Sequence, residues 1–203
     1  MQEVSATLIF CLVAGTIGGV RLGGQAPQQT VLARIESQAL QRATGDIPAY
    51  VSNGISSKEV SDLTALMAEC VSQYAVSQGK PRIVLAVLDE TAWAGLKGPA
   101  PYGLPHHTWT ETPYVVIVPS TWANVPPMFA TTRKHLVDAL GANGVDTYIR
   151  LIALHEVGHI LTYAILNQEP ASVASRFPIW YQEFLANYFA HSCAARLRPS
   201  VAD

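Results

Sequence analysis

The sequence predicts one mixed α+β domain, a small sheet packed against a long buried helix and a second helix that follows it. Two short runs rich in β-branched residues, Ile83–Leu88 and Tyr114–Val118, read as strands. The last third of the chain is apolar at helical spacing. Hydrophobic residues make up 49% of the 203 and charged residues 14%, enough apolar material to build a substantial core. The 13 Lys and Arg nearly balance the 15 Asp and Glu, and no basic run occurs. Nucleic acid is therefore excluded as a main partner, because binding phosphates needs concentrated positive charge.

At the N-terminus, Ala6–Val20 is a run of 15 apolar and small residues closed by Arg21. A membrane span needs about 20 residues, so this length suits the core of a signal peptide better. Gly24-Gln25-Ala26 supplies small residues for cleavage. The stretch ahead of the run holds Glu3 and no Lys or Arg, so either the terminal amine is its only positive charge or the true start lies upstream of Met1. The reading is a signal peptide over 1–26, with a short retained anchor or a buried N-terminal helix or strand as alternatives. Secretion, or placement in the periplasm or cell envelope, follows from it. Membrane contact is expected only through a segment left uncleaved.

Residues 27–79 read as an N-terminal helical region, joined in one compact domain with 80–203. Gln28–Arg42 has Val31, Leu32, Ile35, Ala39 and Leu40 at helical spacing, and Thr44-Gly45-Asp46-Ile47-Pro48 breaks it. A second helix runs from about Ser57 to Ser77, with Ser56 or Ser57 as cap and Glu59 in its first turn. Its apolar stripe is Val60, Leu63, Leu66, Met67, Cys70, Val71 and Tyr74. After the Ile83–Leu88 strand, the loop from Gly95 to Pro113 contains His106 and His107, which are either solvated or in touch with substrate or metal. Pro126-Pro127 leads to a short helix near Thr131–Leu140. Long helices follow over about Asp146–Leu166 and Pro178–Arg196, Pro178 suiting a first helical turn. Cys70 and Cys193 would remain once Cys11 is removed with the signal peptide. They are either free buried thiols or a disulfide closing a loop of about 120 residues, stabilising by about 4–5 kcal/mol.

The chemistry concentrates in His155-Glu156-Val157-Gly158-His159. Two histidines four apart on a helix sit about 40° apart around its axis, so both rings can reach one metal ion. Glu156, about 100° round from His155, is placed instead to take a proton from a water on that metal. The flanks Leu151–Leu154 and Ile160-Leu161 bury the helix, and a buried histidine pair needs polar partners, which a Zn2+ ion supplies. A catalytic zinc usually takes a third protein ligand. Glu183, 24 residues past His159 in an almost wholly apolar stretch, is the best candidate, since an ionised carboxylate there must be paired or bind a cation. The intervening Asn167–Phe177 can reverse the chain, and Gly158 and Ala186 are small enough for the two helices to pack closely.

On these residues the chain resembles the gluzincin metallopeptidases, above all compact peptidase MA-like domains and the catalytic cores of thermolysin- and aminopeptidase-type enzymes. The resemblance rests on HEVGH at 155–159 and on Pro178-x-Trp180-x-x-Glu183-x-x-Ala186-x-Tyr188. It rests also on the order strand, strand, metal helix, glutamate helix, and spans about residues 80–195. The first motif is far more specific than the second. Another zincin branch has a histidine six residues after the second motif histidine, where this chain has Ile165. The resemblance implies a zincin-like fold for 80–203 and Glu183 as third ligand. It implies a strand near 114–118 that pairs with an extended peptide or protein substrate. Two positions depart from relatives. Phe184 stands where many have Gly, narrowing the space beside the metal. Asn187 stands where thermolysin-like branches have an Asp that braces a histidine, and Asn accepts that hydrogen bond more weakly.

The implied function is zinc-dependent peptide-bond hydrolysis on a secreted or envelope substrate, with Glu156 activating the water. Two other readings stand beside it. One is a catalytically weak or inactive zinc-binding domain that acts as a peptide- or partner-binding module. The other is a membrane-anchored structural protein whose metal is incidental. Asn187, His191 and Tyr163 are candidates for supporting a ligand or stabilising an oxyanion, as are Tyr181 and Tyr188, each against an ordinary packing role. Trp180 reads as packing.

Overall fold

The computed structural model describes residues 29–74, 79–98, 100–121, 134, 138 and 142–197. Among them, β1 (Gln41–Ala43), β2 (Ala49–Val51), β3 (Ile83–Leu88), β4 (His106–His107) and β5 (Tyr114–Pro119) form one mixed sheet in the order β1-β2-β3-β5-β4. The inner strands β2, β3 and β5 are parallel, and the outer strands β1 and β4 each run antiparallel to their neighbours. Every residue of β3 is buried. A strand covered on both faces needs apolar residues at successive positions, which is why the run does not alternate with polar residues.

Side chains of a strand point alternately to opposite faces, and the two faces meet different helices. Ala49, Val51, Leu85, Val87, Val116 and Val118 pack with α2 (Ser57–Gln73), α4 (Ala142–Leu166) and α6 (Ile179–Leu197). Tyr50, Val84, Ala86, Leu88, Val115 and Ile117 pack with Ile35 of α1 (Val31–Glu36) and with Ala92 and Trp93 of α3 (Glu90–Gly95). The architecture is thus mixed α and β, as the sequence predicts, with helices on both sides of the sheet. A short helix α5 (Pro170–Arg176) lies between α4 and α6.

Helix α2 starts where expected: the Ser56 side chain caps Glu59 N, and the apolar stripe Val60 to Val71 is buried. It ends at Gln73, short of Ser77. The helix expected over Gln28–Arg42 stops at Glu36, and Gln41–Ala43 instead joins β2 as a hairpin strand across the Thr44–Pro48 turn. Main-chain pairing with Ala49–Val51 outweighs the modest helical preference of those residues. Residues 27–79, read as helical, therefore contribute two strands. Asp89 caps α3, a helix with no counterpart in the sequence reading, through Ala92 N at 2.8 Å. The signal peptide expected over 1–26 lies outside the described residues. So does the helix expected near Thr131–Leu140, except for Lys134 and Asp138, which are helical and ion-paired. No helix of the described residues is long and apolar enough to cross a membrane.

Two contacts fix α6 against the rest. Cys193 of α6 is joined to Cys70 of α2, both fully buried, with Cα atoms 5.6 Å apart. Beside them the rings of Tyr74 and Phe189 meet edge to face at 4.9 Å. Against α4 the approach is closer still. A Cβ at Gly158 would lie 2.7 Å from the carbonyl oxygen of Ala186 and 2.8 Å from its Cα. Only glycine lets the two backbones come this near.

Candidate metal centre

Helix α4 presents His155 and His159 on one side, and the close crossing at Gly158 brings Glu183 of α6 onto the same point. The two Nε2 atoms are 3.2 Å apart. A Glu183 oxygen lies 3.1 Å from His155 Nε2, and the other lies 3.5 Å from His159 Nε2. Three ligands about 2.0–2.1 Å from a tetrahedral zinc stand roughly 3.3 Å from one another, and the nitrogen pair and each nitrogen's nearer Glu183 oxygen approach that spacing. Glu183 Oε2 is buried against His155 Nε2, a carboxylate oxygen that a cation at the shared point would also satisfy. These three residues could together hold a metal ion.

Asn187, one turn past Glu183, places Oδ1 3.1 Å from His155 Nδ1. Its amide oxygen accepts the Nδ1–H, which turns Nε2 toward the shared point. Burial alone would push both histidines toward the neutral form. It takes His159 down to about 4. For His155, the bond and charge of Glu183 and the charge of Glu156 overcome burial, and its pKa is raised. Glu183 is lowered: burial opposes ionisation, but the His155 bond and both imidazoles outweigh it.

Glu156, about 100° round the helix from His155, meets His107. Its Oε2 lies 2.7 Å from His107 Nδ1, and His107 Nε2 lies 3.1 Å from the Tyr163 hydroxyl. All three side chains are buried. Burial pushes the Glu156 carboxyl up, yet the hydrogen bond from His107 brings it down to about 2. Burial raises the Tyr163 phenol. The His107 ring also stacks on His159 at 5.3 Å and lies parallel to Trp109 at 6.2 Å.

The structure thus joins His155, His159, Glu183, Asn187, Glu156 and Tyr163 in one site and adds His107, which the sequence reading left among loop residues. His106-His107 is instead the edge strand β4, paired antiparallel to β5. Alternation sends His106 the other way, its Nδ1 3.0 Å from Leu104 O and its ring edge-on to Trp93 at 5.3 Å. The available signal was the polar Thr-Glu-rich turn between the doublet and a β-branched run, which is a hairpin pattern.

Several expectations are corrected. His191 is exposed and takes no part in the site. Trp180 is 69% exposed rather than packed, and Phe184 and Tyr188 lie on the same outer side of α6. Positions 180, 184 and 188 succeed each other at helical spacing, so an apolar face of α6 points outward. Phe184 therefore does not narrow the metal site from within. Tyr181 packs among Phe177, Trp180 and Phe184. The strand near 114–118 is paired along its length by β3 and, at Val116 and Ile117, by β4, which is thus the outermost strand on that side among the described residues. A separate cleft of about 500 Å³, lined by Asp46, Lys80, Arg82 and their neighbours, contains none of the site residues. Comparison with known proteins finds no matching family model, no similar curated protein and no similar solved structure.

Proposed function

We propose that the protein is a zinc metallopeptidase of gluzincin type, with a zincin-like fold, that hydrolyses peptide bonds in a secreted or envelope peptide or protein. The observation that carries the reading is the convergence of His155, His159 and Glu183 at tetrahedral spacing with a buried, ionised Glu156 beside them. The Cys70–Cys193 bond supports an oxidising compartment.

His155, His159 and Glu183 would hold the ion, and Asn187 orients the His155 ring toward it. A zinc ion held there would supply Lewis-acid chemistry, lowering the pKa of a water and polarising a carbonyl. Glu156, with Oε2 engaged by His107, takes the proton of the attacking water on its other oxygen and passes it to the leaving amine. The outer edge of β4 has no strand paired to it among the described residues, so an extended peptide can add there by main-chain hydrogen bonds.

The test is metal content and turnover on one preparation. Natively purified protein should contain one zinc per chain, lost in His155→Ala. A peptide library read by mass spectrometry should be cleaved by the wild type, and Glu156→Gln should abolish cleavage with zinc retained. Stoichiometric zinc with no cleavage of any peptide would replace hydrolysis by a peptide-binding role.

A further inference from the structure

Glu156 has a geometric problem that the HEVGH motif does not solve. Three and four residues away on α4 stand Ile152, Ala153 and Ile160, all buried and apolar, and His159, whose Nε2 is turned to Glu183 and His155, so the carboxylate finds its hydrogen bond on another element. Tyr163 lies seven residues on, two turns along the same side of the helix and a rise of about 10 Å away. The His107 ring spans that gap. It touches Glu156 Oε2 with one nitrogen and the Tyr163 hydroxyl with the other, at 2.7 and 3.1 Å. The tyrosine hydroxyl can donate, whereas an ionised carboxylate only accepts. The arrangement that satisfies all three groups is Tyr163 O–H donating to His107 Nε2 and His107 Nδ1–H donating to Glu156.

We infer that His107 is the positioning residue of the general base: held in its Nδ1–H tautomer by Tyr163, it pins Glu156 Oε2 so that the other carboxylate oxygen faces the water. This rests on the hydrolytic reading for its effect on turnover. The hydrogen-bond arrangement itself does not depend on that reading. The His107 side chain acts through Glu156, and its ring is not placed against substrate. Its backbone belongs to β4, so the strand that would receive the peptide also aims the base at the bond to be cut. Stacking on His159 further restricts the ring to one plane.

Two measurements test the inference. In metal-free wild-type protein, 15N NMR of the imidazoles should find a proton on His107 Nδ1. A bare Nδ1 overturns the proposal whatever the protein hydrolyses. In the zinc-loaded protein, Tyr163→Phe should lower kcat about 3–10-fold and His107→Leu about 10–100-fold, each with KM within about two-fold and zinc stoichiometry unchanged. His107→Asn, whose amide nitrogen can stand near the Nδ1 position, should recover most of the loss. Should His107→Leu fail to fold, Tyr163→Phe and the wild-type spectrum still decide. Wild-type turnover with no effect of Tyr163→Phe or His107→Leu refutes the positioning role and leaves the peptidase reading intact. A wild type that cleaves no peptide sinks that reading, and the imidazole spectrum then decides the clamp alone.

Discussion

The closest backbone approach in the site is at Gly158, and one added methyl there should cost the metal more than it costs the fold. In Gly158→Ala the new Cβ would sit 2.7 Å from Ala186 O, 2.8 Å from Ala186 Cα and 3.1 Å from Ala186 C, where ordinary contact begins at 3.4 Å. All three are backbone atoms, so no side-chain rotation relieves the overlap, and α6 must retreat from α4 by roughly 0.6–0.7 Å, the shortfall from ordinary contact. Overpacking of this size costs about 1–3 kcal/mol, and replacing glycine in a helix returns about 1 kcal/mol. The net loss is about 0–2 kcal/mol, or a fall in Tm of a few degrees for a domain of this size. Glu183 is one turn from Ala186 and moves with α6. Its oxygens now lie 3.1 and 3.5 Å from the ring nitrogens, and metal–ligand distances tolerate only about 0.2 Å. Zinc affinity should therefore fall at least 10-fold, measured by competition with a chromophoric chelator alongside a thermal melt. Wild-type affinity together with a wild-type Tm would refute the claim that this crossing sets the site.

Three further outcomes follow from the same geometry. Asn187→Ala should weaken zinc binding by about 10–100-fold through a freed His155 ring, and Asn187→Asp should bind at least as tightly as wild type, both read by chelator competition. Replacing Cys70 and Cys193 together by Ala should lower unfolding stability by up to about 4–5 kcal/mol in denaturant titration, because the cross-link closes a separation of 123 residues. The metal-free protein should be most stable near pH 6.5. Above it, stability falls as pH rises through the raised His155 pKa. Below it, the unfolded chain protonates the counterpart of His159 at about 6.5 while the folded one waits until about 4, and that of Glu156 at 4.5 while the folded one waits until about 2. Stability is therefore lost as pH falls through both windows, with Glu156 contributing on the order of 3 kcal/mol. A flat denaturation profile between pH 6.5 and 3 would contradict this.

Much of the frame was legible because its signals are local. The Ser56 cap and the stripe of α2 lie within a few turns of chain, and β3 announces itself as a β-branched run. The histidine spacing on α4 and the lone acid of α6 follow from helical periodicity. What escaped depends on partners remote in sequence. Gln41–Ala43 became a strand only because β2 offers its edge. His107 meets Glu156 across 49 positions, and nothing near either residue points to the other. Trp180 reads as core by composition, but α6 buries the side bearing Ala186, Phe189, Ala190 and Cys193, which turns Trp180 outward.

The two-residue length of β4 has a consequence for how this chain tolerates change. Strand side chains alternate, so shortening or lengthening the loop before β4 by one residue would normally turn the inward imidazole out to the opposite face. Here the strand is a histidine doublet, and a slip in one direction simply exchanges His107 for His106 opposite Val116. One of the two neighbouring registers thus keeps a ring nitrogen against the glutamate, a built-in redundancy that a lone histidine would not provide.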